Sequence, residues 1–293
     1  MNCLVLVNKP VGVRSTQCVG AVRKYFDGAK AGHAGTLDST ASGLLVVLVG
    51  HATRLCEYVM NLPKVYRAVI QFGSETDTCD YSGEVISSVG WENLSVEMVA
   101  DFLKCFSGWR MQTPPAISAV KVNGQASYKL ARSGQVPELK TRPVFFRRIT
   151  QITPYSPETG RLELEISCSR GTYIRSLAQD IGRLTGCGAH IAWLERISVG
   201  NFRVKDASGL DSEDIKPISL TELAHNFTRI DVGPADERSF TNGMSILLSH
   251  ALKIHRGVSL MNGDLCVEGE EFIGFGRYAG YDYVRPEVIV PKC

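Results

Sequence analysis

In the stretch GHAGTLDSTASGLL (32–45) a single acid, Asp38, stands among Gly32, Gly35 and Gly43, directly before the apolar run LLVVLV. A carboxylate in that place can serve as nucleophile or base, and residues without a Cβ let a ligand or another backbone come close. A turn aspartate bonded to its own loop would give the same pattern and is the commoner arrangement. Arg175 is the second unusual residue. It falls in the first turn of a helix that Thr172 can cap, where the macrodipole disfavours a cation by about 0.3–1 kcal/mol. A carboxylate or phosphate facing it would explain its position; a solvated arginine would cost little. Two flat rings also have double readings. Tyr66 shares a strand face with Ala68, Ile70 and Phe72 and so reads as core, yet such a ring can stack on a nucleobase. His33 is either a satisfied loop histidine or a ring presented to RNA.

These residues need elements to hold them. CLVLVNKP (3–10) reads as a buried strand stopped by Pro10, which has no N–H for a ladder. Ser15 and Thr16 are good caps for a following helix with Val19, Val22 and Phe26 at helical spacing. LLVVLVG (44–50) is a second buried strand, and KVYRAVIQF alternates with period two. Met98, Phe102 and Phe106 predict an amphipathic helix over 96–106. Residues 110–145, rich in Gly, Pro and basic groups, read as an excursion from the core. RLELEISCS (161–169) alternates as a half-exposed strand. The helix after it carries Ile174, Leu177, Ile181 and Leu184 on one stripe and ends at Gly186. Composition shifts around 206–228, and the glycine-punctuated remainder predicts a small all-β barrel.

The net charge of +2 over 293 residues conceals a division along the chain. Residues 74–101 hold seven acids and no Lys or Arg, whereas 110–148 hold eight basic residues against Glu138 alone. Basic residues near Tyr128, Phe145 and Phe146 suit either a phosphate backbone or a solvated surface. The nine cysteines are scattered without a CxxC pair, which points to reduced thiols rather than a zinc cage or a disulfide framework. No window approaches the roughly 18 apolar residues of a membrane span, and MNCLVLVNKPVG lacks the features of a leader. A cytoplasmic location is the expectation.

Taken in order, NKPVGVRS, GHAGTLDSTASGLL, KVYRAVIQFGSETDT, TPPAISAVKVNGQASYKLARSGQ, SRGTYIRSLAQDIGRLTGCGAHIAWLERISVGNF and the C-terminal tail resemble the bacterial tRNA pseudouridine synthase B family. The resemblance runs from Lys9 to Arg285–Pro286. It implies an α+β fold: a mixed, largely antiparallel sheet with flanking helices, then a small PUA-like β-barrel. The implied domains are 1–228, with a thumb-like RNA-gripping insertion at about 113–144, and 229–293. The implied activity is stand-alone isomerisation of uridine 55 in the TΨC loop of tRNA, with base flipping.

Carried over residue by residue, the resemblance makes Asp38 the nucleophile, Tyr66 the ring that stacks on the target base and serves the late proton transfer, and Arg175 the partner of the catalytic aspartate. Lys9 and Pro10 support the floor of the site, Leu194 packs near the base, and His33 contacts RNA and fills the space left by flipped bases. Tyr173, in the GTYIR motif, joins the substrate-binding positions. No cofactor or metal is expected, because the reaction needs no redox change, hydrolysis or group donor. The expected partner is the tRNA T stem-loop, with no membrane and a monomeric protein. The chain departs from the family at Ala34 (usually Thr), Ser39 (usually Pro) and Arg14 (commonly Thr). A guide-RNA-dependent relative, a non-catalytic RNA-binding module and a carboxylate glycosidase are the alternative readings. The last would normally use a second acid near the first.

Overall fold

The run LLVVLV lacks alternation because its strand is buried on both faces. In the computed structural model, Ser42–Val49 is a strand whose residues from Leu44 to Val49 are at most 1% exposed. It pairs antiparallel with Cys3–Lys9, in register from Cys3 opposite Val49 to Lys9 opposite Gly43, and with the short strand Ala31–His33. Leu44, Val46 and Leu48 enter one core with Leu4, Leu6, Leu55, Val59 and Leu223. Leu45, Val47 and Val49 enter a second core with Val5, Val7, Cys18 and Val22. Two-sided burial removes the polar alternate positions that a half-exposed strand would show. Truncating one such leucine to alanine would cost about 2–5 kcal/mol.

The structure describes residues 1–292 apart from 119, 123–124, 128–129, 131–137, 211–214 and 259–263. The chain forms two units, one of Met1–Pro63 with Arg196–Cys293 and one of Lys64–Glu195. Besides the strands just described, the first unit contains the helix Ser15–Tyr25 and a C-terminal curled sheet of six strands. In spatial order these are Ile246–Leu247, Tyr283–Pro291, Phe272–Tyr278, Asp264–Glu268, Arg229–Asp231 and Lys253–His255. Ile230, Phe240, Ile246, Val267, Phe272 and Val284 make its own core. Ile273, Phe275, Val288 and Val290 join the core beneath Ser42–Val49. Tyr58 stacks on Phe275 at 3.9 Å, and Asn2 donates from Nδ2 to the Pro291 carbonyl at 3.0 Å. The small barrel expected at the C-terminus is this curled half-barrel, but it is not all-β: the helix Pro234–Thr241 puts Phe240 into its core.

The second unit contains antiparallel strands in the order Lys64–Phe72, Arg161–Cys168, Arg142–Ser156 and Gly108–Gln112. Ala68, Ile70, Phe72, Leu162, Leu164 and Ile166 are fully buried, as their alternation predicts. The helices Val96–Lys104 and Ile174–Thr185 pack against each other and against these strands. The first helix buries a different stripe from the expected one: Val99 and Leu103 are buried, with Phe106 beyond its end, while Met98 is 42% exposed. The buried row is set one position, about 100°, round the helix from the expected one. Leu184, in the last turn of the second helix, is also exposed.

The basic excursion is shorter than its composition suggests. Gln112 pairs with Arg142 and Gly108 with Phe146, so both ends of 110–145 belong to the sheet. That pairing joins residues far apart in the chain, which no local composition reveals. Between them Lys121–Val122 and Gln125–Ala126 form a short antiparallel pair. Tyr128, Lys129 and Arg132 of the basic block, and the acids at 211, 213 and 214, lie outside the described residues. All described cysteines are free thiols; Cys105 is exposed and Cys3, Cys18, Cys79, Cys168, Cys187 and Cys266 are buried. Among the described residues no helix is long and apolar enough to cross a membrane.

Gly182 shows how tightly the second unit is packed. A Cβ built on this helical glycine would meet the Ala189 amide nitrogen at 2.1 Å and the Gly188 carbonyl carbon at 2.5 Å. Both are backbone atoms that cannot swing aside. Alanine is the better helix former by about 1 kcal/mol, yet Gly182→Ala should lower the midpoint of thermal unfolding. A raised midpoint in calorimetry would show that the helix and the strand that follows it, Ala189–Val199, are not in this contact.

Candidate functional site

Asp38 is half-buried on a loop whose backbone is tied on both sides of it. Before it, the Ala34 amide donates to the Val46 carbonyl at 2.9 Å, and the Ser15 hydroxyl bonds both the amide and the carbonyl of Leu37, each at 2.9 Å. After it, the Gly12 amide donates to the Ser39 carbonyl at 2.7 Å, and the Ala41 amide to Asp38's own carbonyl at 3.2 Å. Gly35 and Gly43 have φ of +110° and +104°, values that explain why the loop requires glycine at both positions. The expected capping role of Ser15 is therefore corrected. The helix begins after Arg14 in extended geometry, and the Ser15 hydroxyl is spent on Leu37. The departure at Ser39 involves only a main-chain carbonyl in the Gly12 bond, and proline would present the same acceptor. Ala34 is buried and Arg14 is exposed.

Two buried cations lie in the same unit. Lys9 is fully buried, and its ammonium donates to the carbonyls of Pro10 at 2.9 Å and Val13 at 2.8 Å. Burial pulls its pKa down; the Cys18 thiol and the Asp38 carboxylate act against that and favour the charged form. Pro10 itself is exposed. Arg196, 1% exposed, donates from Nε to the Leu44 carbonyl at 2.7 Å and from Nη2 to the Gly35 carbonyl at 3.1 Å, with Nη1 3.4 Å from the Thr36 carbonyl. His33, at the end of Ala31–His33, is held neutral: burial first, and the Arg196 charge second, lower its pKa. Its Nδ1 is buried and has no hydrogen-bond partner among the described residues. Lys9, His33 and Asp38 thus lie in one unit, where the Asp38 carboxylate acts on Lys9 and the Arg196 charge on His33.

The second unit holds Tyr66, Tyr173, Arg175 and Leu194. Tyr66 faces Ile166 across the ladder and is half-buried, whereas Ala68, Ile70 and Phe72 on the same strand face are sealed. Arg175 is 4% exposed, which removes the reading as a solvated arginine. Its Nη1 donates to the carbonyls of Thr78 at 2.9 Å and Ile117 at 3.0 Å, and its Nε lies 4.0 Å from the Asp80 carboxylate. The helix cap is Tyr173 rather than Thr172. The Thr172 hydroxyl donates to Ser169, and the Tyr173 backbone exchanges two bonds with the Gln112 side chain, at 2.8 and 3.0 Å. Arg142 covers the Tyr173 ring at 4.8 Å. Leu194 is buried.

Asp80 and Arg196 were missed from the sequence. Asp80 Oδ1 accepts from the Thr78 hydroxyl at 2.8 Å, the Ser82 amide at 3.0 Å and the Ser82 hydroxyl at 2.6 Å, which leaves Oδ2 toward Arg175. Three donors and a guanidinium stabilise a buried carboxylate that would otherwise be costly. The preceding Cys79 has φ of +60°, a rare conformation for a residue with a side chain. The spacing of Thr78, Asp80 and Ser82 was the available signal, but it sat inside a run of acids that reads as solvated surface. Arg196 had no such signal, because a single arginine in a strand looks like an exposed one.

This geometry can be set beside known proteins. The N-terminal domain model of the TruB family pseudouridylate synthases matches residues 23–174, and the tRNA pseudouridylate synthase B C-terminal domain matches 175–225. The tRNA pseudouridine synthase B of Geobacter sulfurreducens is 36% identical over 96% of this chain and 88% of its own length. That of Bartonella quintana is 40% identical over 83% of this chain and 87% of its own length. Among solved structures, a chain of a Cbf5-Nop10-Gar1 complex superposes with a TM-score of 0.74 at 21% identity, covering 99% of this chain and 85% of that one. A chain of an H/ACA RNP bound to a substrate RNA containing 2'-deoxyuridine gives 0.71 at 19%, covering 98% and 84%. At these identities the structural likeness is one of fold, and it is the α+β fold with a PUA-like module that the sequence resemblance implied. The matched family models and the relatives that span most of the chain place it in the TruB family of pseudouridylate synthases, which are isomerases.

Proposed function

We propose that this protein is a stand-alone tRNA pseudouridine synthase that converts uridine 55 of the TΨC loop, with Asp38 as nucleophile. One observation carries this reading above the others: Asp38 is a half-buried acid on a loop bonded on both sides, in the same unit as the buried cations Lys9 and Arg196. A turn aspartate that only stabilised its own loop would not need a buried ammonium beside it, because removing that charge from water is expensive. We assign residues 1–228 to the catalytic domain, with the thumb-like insertion at about 113–144, and 229–293 to RNA binding. The protein acts as a cytoplasmic monomer on the T stem-loop.

The target uridine is stacked in the folded loop, so it must be flipped out, at a cost of a few kcal/mol. Phosphate contacts from basic residues offset that cost. Asp38 attacks the sugar C1′ or the base C6, the N1–C1′ bond breaks and the uracil turns. A C5–C1′ bond then forms, the C5 proton leaves, N1 takes up a proton, and the bond to Asp38 breaks to return the free carboxylate. Tyr66, the one ring on its strand face that is not sealed in the core, stacks on the base and serves the transfer of the C5 proton. Arg175 has the role the resemblance gives it toward the catalytic aspartate, and Asp80 steadies its guanidinium. His33 presents a half-buried neutral ring, and its contact with RNA is the role the resemblance gives it. Lys9 and Pro10 support the floor, while Leu194 and Tyr173 line the place of the base.

Two experiments test these roles. With tRNA carrying tritium at uridine C5, Asp38→Asn should bind tRNA normally but release tritium at least about a thousandfold more slowly. Appreciable release would end the nucleophile assignment, and free uracil among the products would favour a glycosidase. Arg175→Lys should also lose about a hundredfold in rate, because a single ammonium cannot hold the Thr78 and Ile117 carbonyls, as Nη1 does, and at the same time face Asp80, as Nε does. Turnover near that of the unaltered protein would show that a point charge is enough.

A further inference from the structure

Arg196 is the largest side chain among those fully buried in the described residues. Its acceptors are the main-chain carbonyls of Gly35, Thr36 and Leu44, which bracket Asp38 in the sequence. Among the described residues no carboxylate lies within ion-pair distance of it. A buried guanidinium without a paired carboxylate is a costly thing to keep, and an apolar side chain of similar length would fill the strand position more cheaply. What the arginine adds is geometry. Its rigid fork has donors on more than one edge and can hold two separated backbone segments at once, which a lysine or a methionine cannot do.

We propose that Arg196 is a positioning residue for the reaction: it ties together the two ends of the Asp38 loop and so sets the direction of the carboxylate. The inference rests on the reading of Asp38 as the nucleophile. The arrangement of the other tethers supports it. Ser15 holds Leu37 and Gly12 holds Ser39, which fixes the residues next to Asp38. The Ala34 bond to Val46 and the ladder at Leu44 fix the frame on either side of the loop, and the carbonyls of Gly35 and Thr36, inside that frame, are left to the guanidinium. The Arg196 guanidinium reaches both. It also places a fixed positive charge near His33 that, after burial, adds to what keeps that ring neutral. Arg196 touches no reacting atom in this scheme; it acts through the backbone that carries Asp38.

The test compares the purified full-length protein with Arg196→Lys and Arg196→Met. Three quantities are measured: single-turnover tritium release from tRNA, tRNA affinity by filter binding, and the thermal midpoint. Arg196→Lys should bind tRNA within about threefold of the unaltered protein, while its single-turnover rate falls about a hundredfold. The loss should persist well below the unfolding temperature, and Arg196→Met should be at least as slow. A residue that only stabilised the fold would lower the midpoint and leave the rate of folded, tRNA-bound molecules unchanged; that result would overturn the proposal, as would equal losses of rate and affinity. If neither variant folds, Ser15→Ala, which removes only the Leu37 tether, should show the same split in a smaller measure, and an unchanged rate would overturn it. Absence of tritium release from the unaltered protein would remove the Asp38 reading itself, whereas an active Arg196→Lys removes only this inference.

Discussion

Burial of Ser42–Val49 on both faces is the constraint on which the first unit depends. A strand sealed on each side has no freedom to slip, because a shift by one residue would exchange the side chains of two different cores. Its first residues are therefore fixed points. The loop that ends at Leu44 inherits that rigidity, and the carbonyl of Leu44 becomes a reliable acceptor for Arg196. The acid is held by a loop, but the loop is held by a core.

Charge in this protein is arranged around that rigidity. Lys9 and Arg196 are buried cations whose hydrogens are taken up by main-chain carbonyls, so each bonds the backbone it supports. Arg175 follows the same rule in the other unit, with two carbonyl acceptors and the Asp80 carboxylate nearby. Such groups are poor investments for stability alone, because desolvation consumes most of the electrostatic gain. They make sense where a reaction develops charge and water would blur it. The exposed ion pairs, such as Lys104 with Asp101, contribute little to either purpose.

The C-terminal half-barrel is tied into the same core by Ile273, Phe275 and Val290 and by hydrogen bonds from Asn2 and Arg54 to its last strand. The second unit relies on helix-to-strand contact so close that Gly182 admits no Cβ. In both units the polar elements that face solvent are carried on apolar frames that tolerate little change.

Much of this was legible in the residues. Period-two alternation placed Lys64–Phe72 and Arg161–Cys168 as strands, because one face of each is buried and the other is not. An unbroken apolar run marked Ser42–Val49, and Gly186 marked a helix end. These signals are local: each depends on residues a few positions apart. What only the tertiary structure decided depends on residues far apart. The sequence could not show that the Ser15 hydroxyl bonds Leu37 instead of capping its own helix, that Gln112 pairs with Arg142, or that Val99 rather than Met98 faces inward. Nor could it show that Asp80, within an acidic run, turns into the protein beside Arg175, or that Arg196 reaches Gly35 and Leu44. A side chain's type states what it can bond; only the packed fold brings the partner to it.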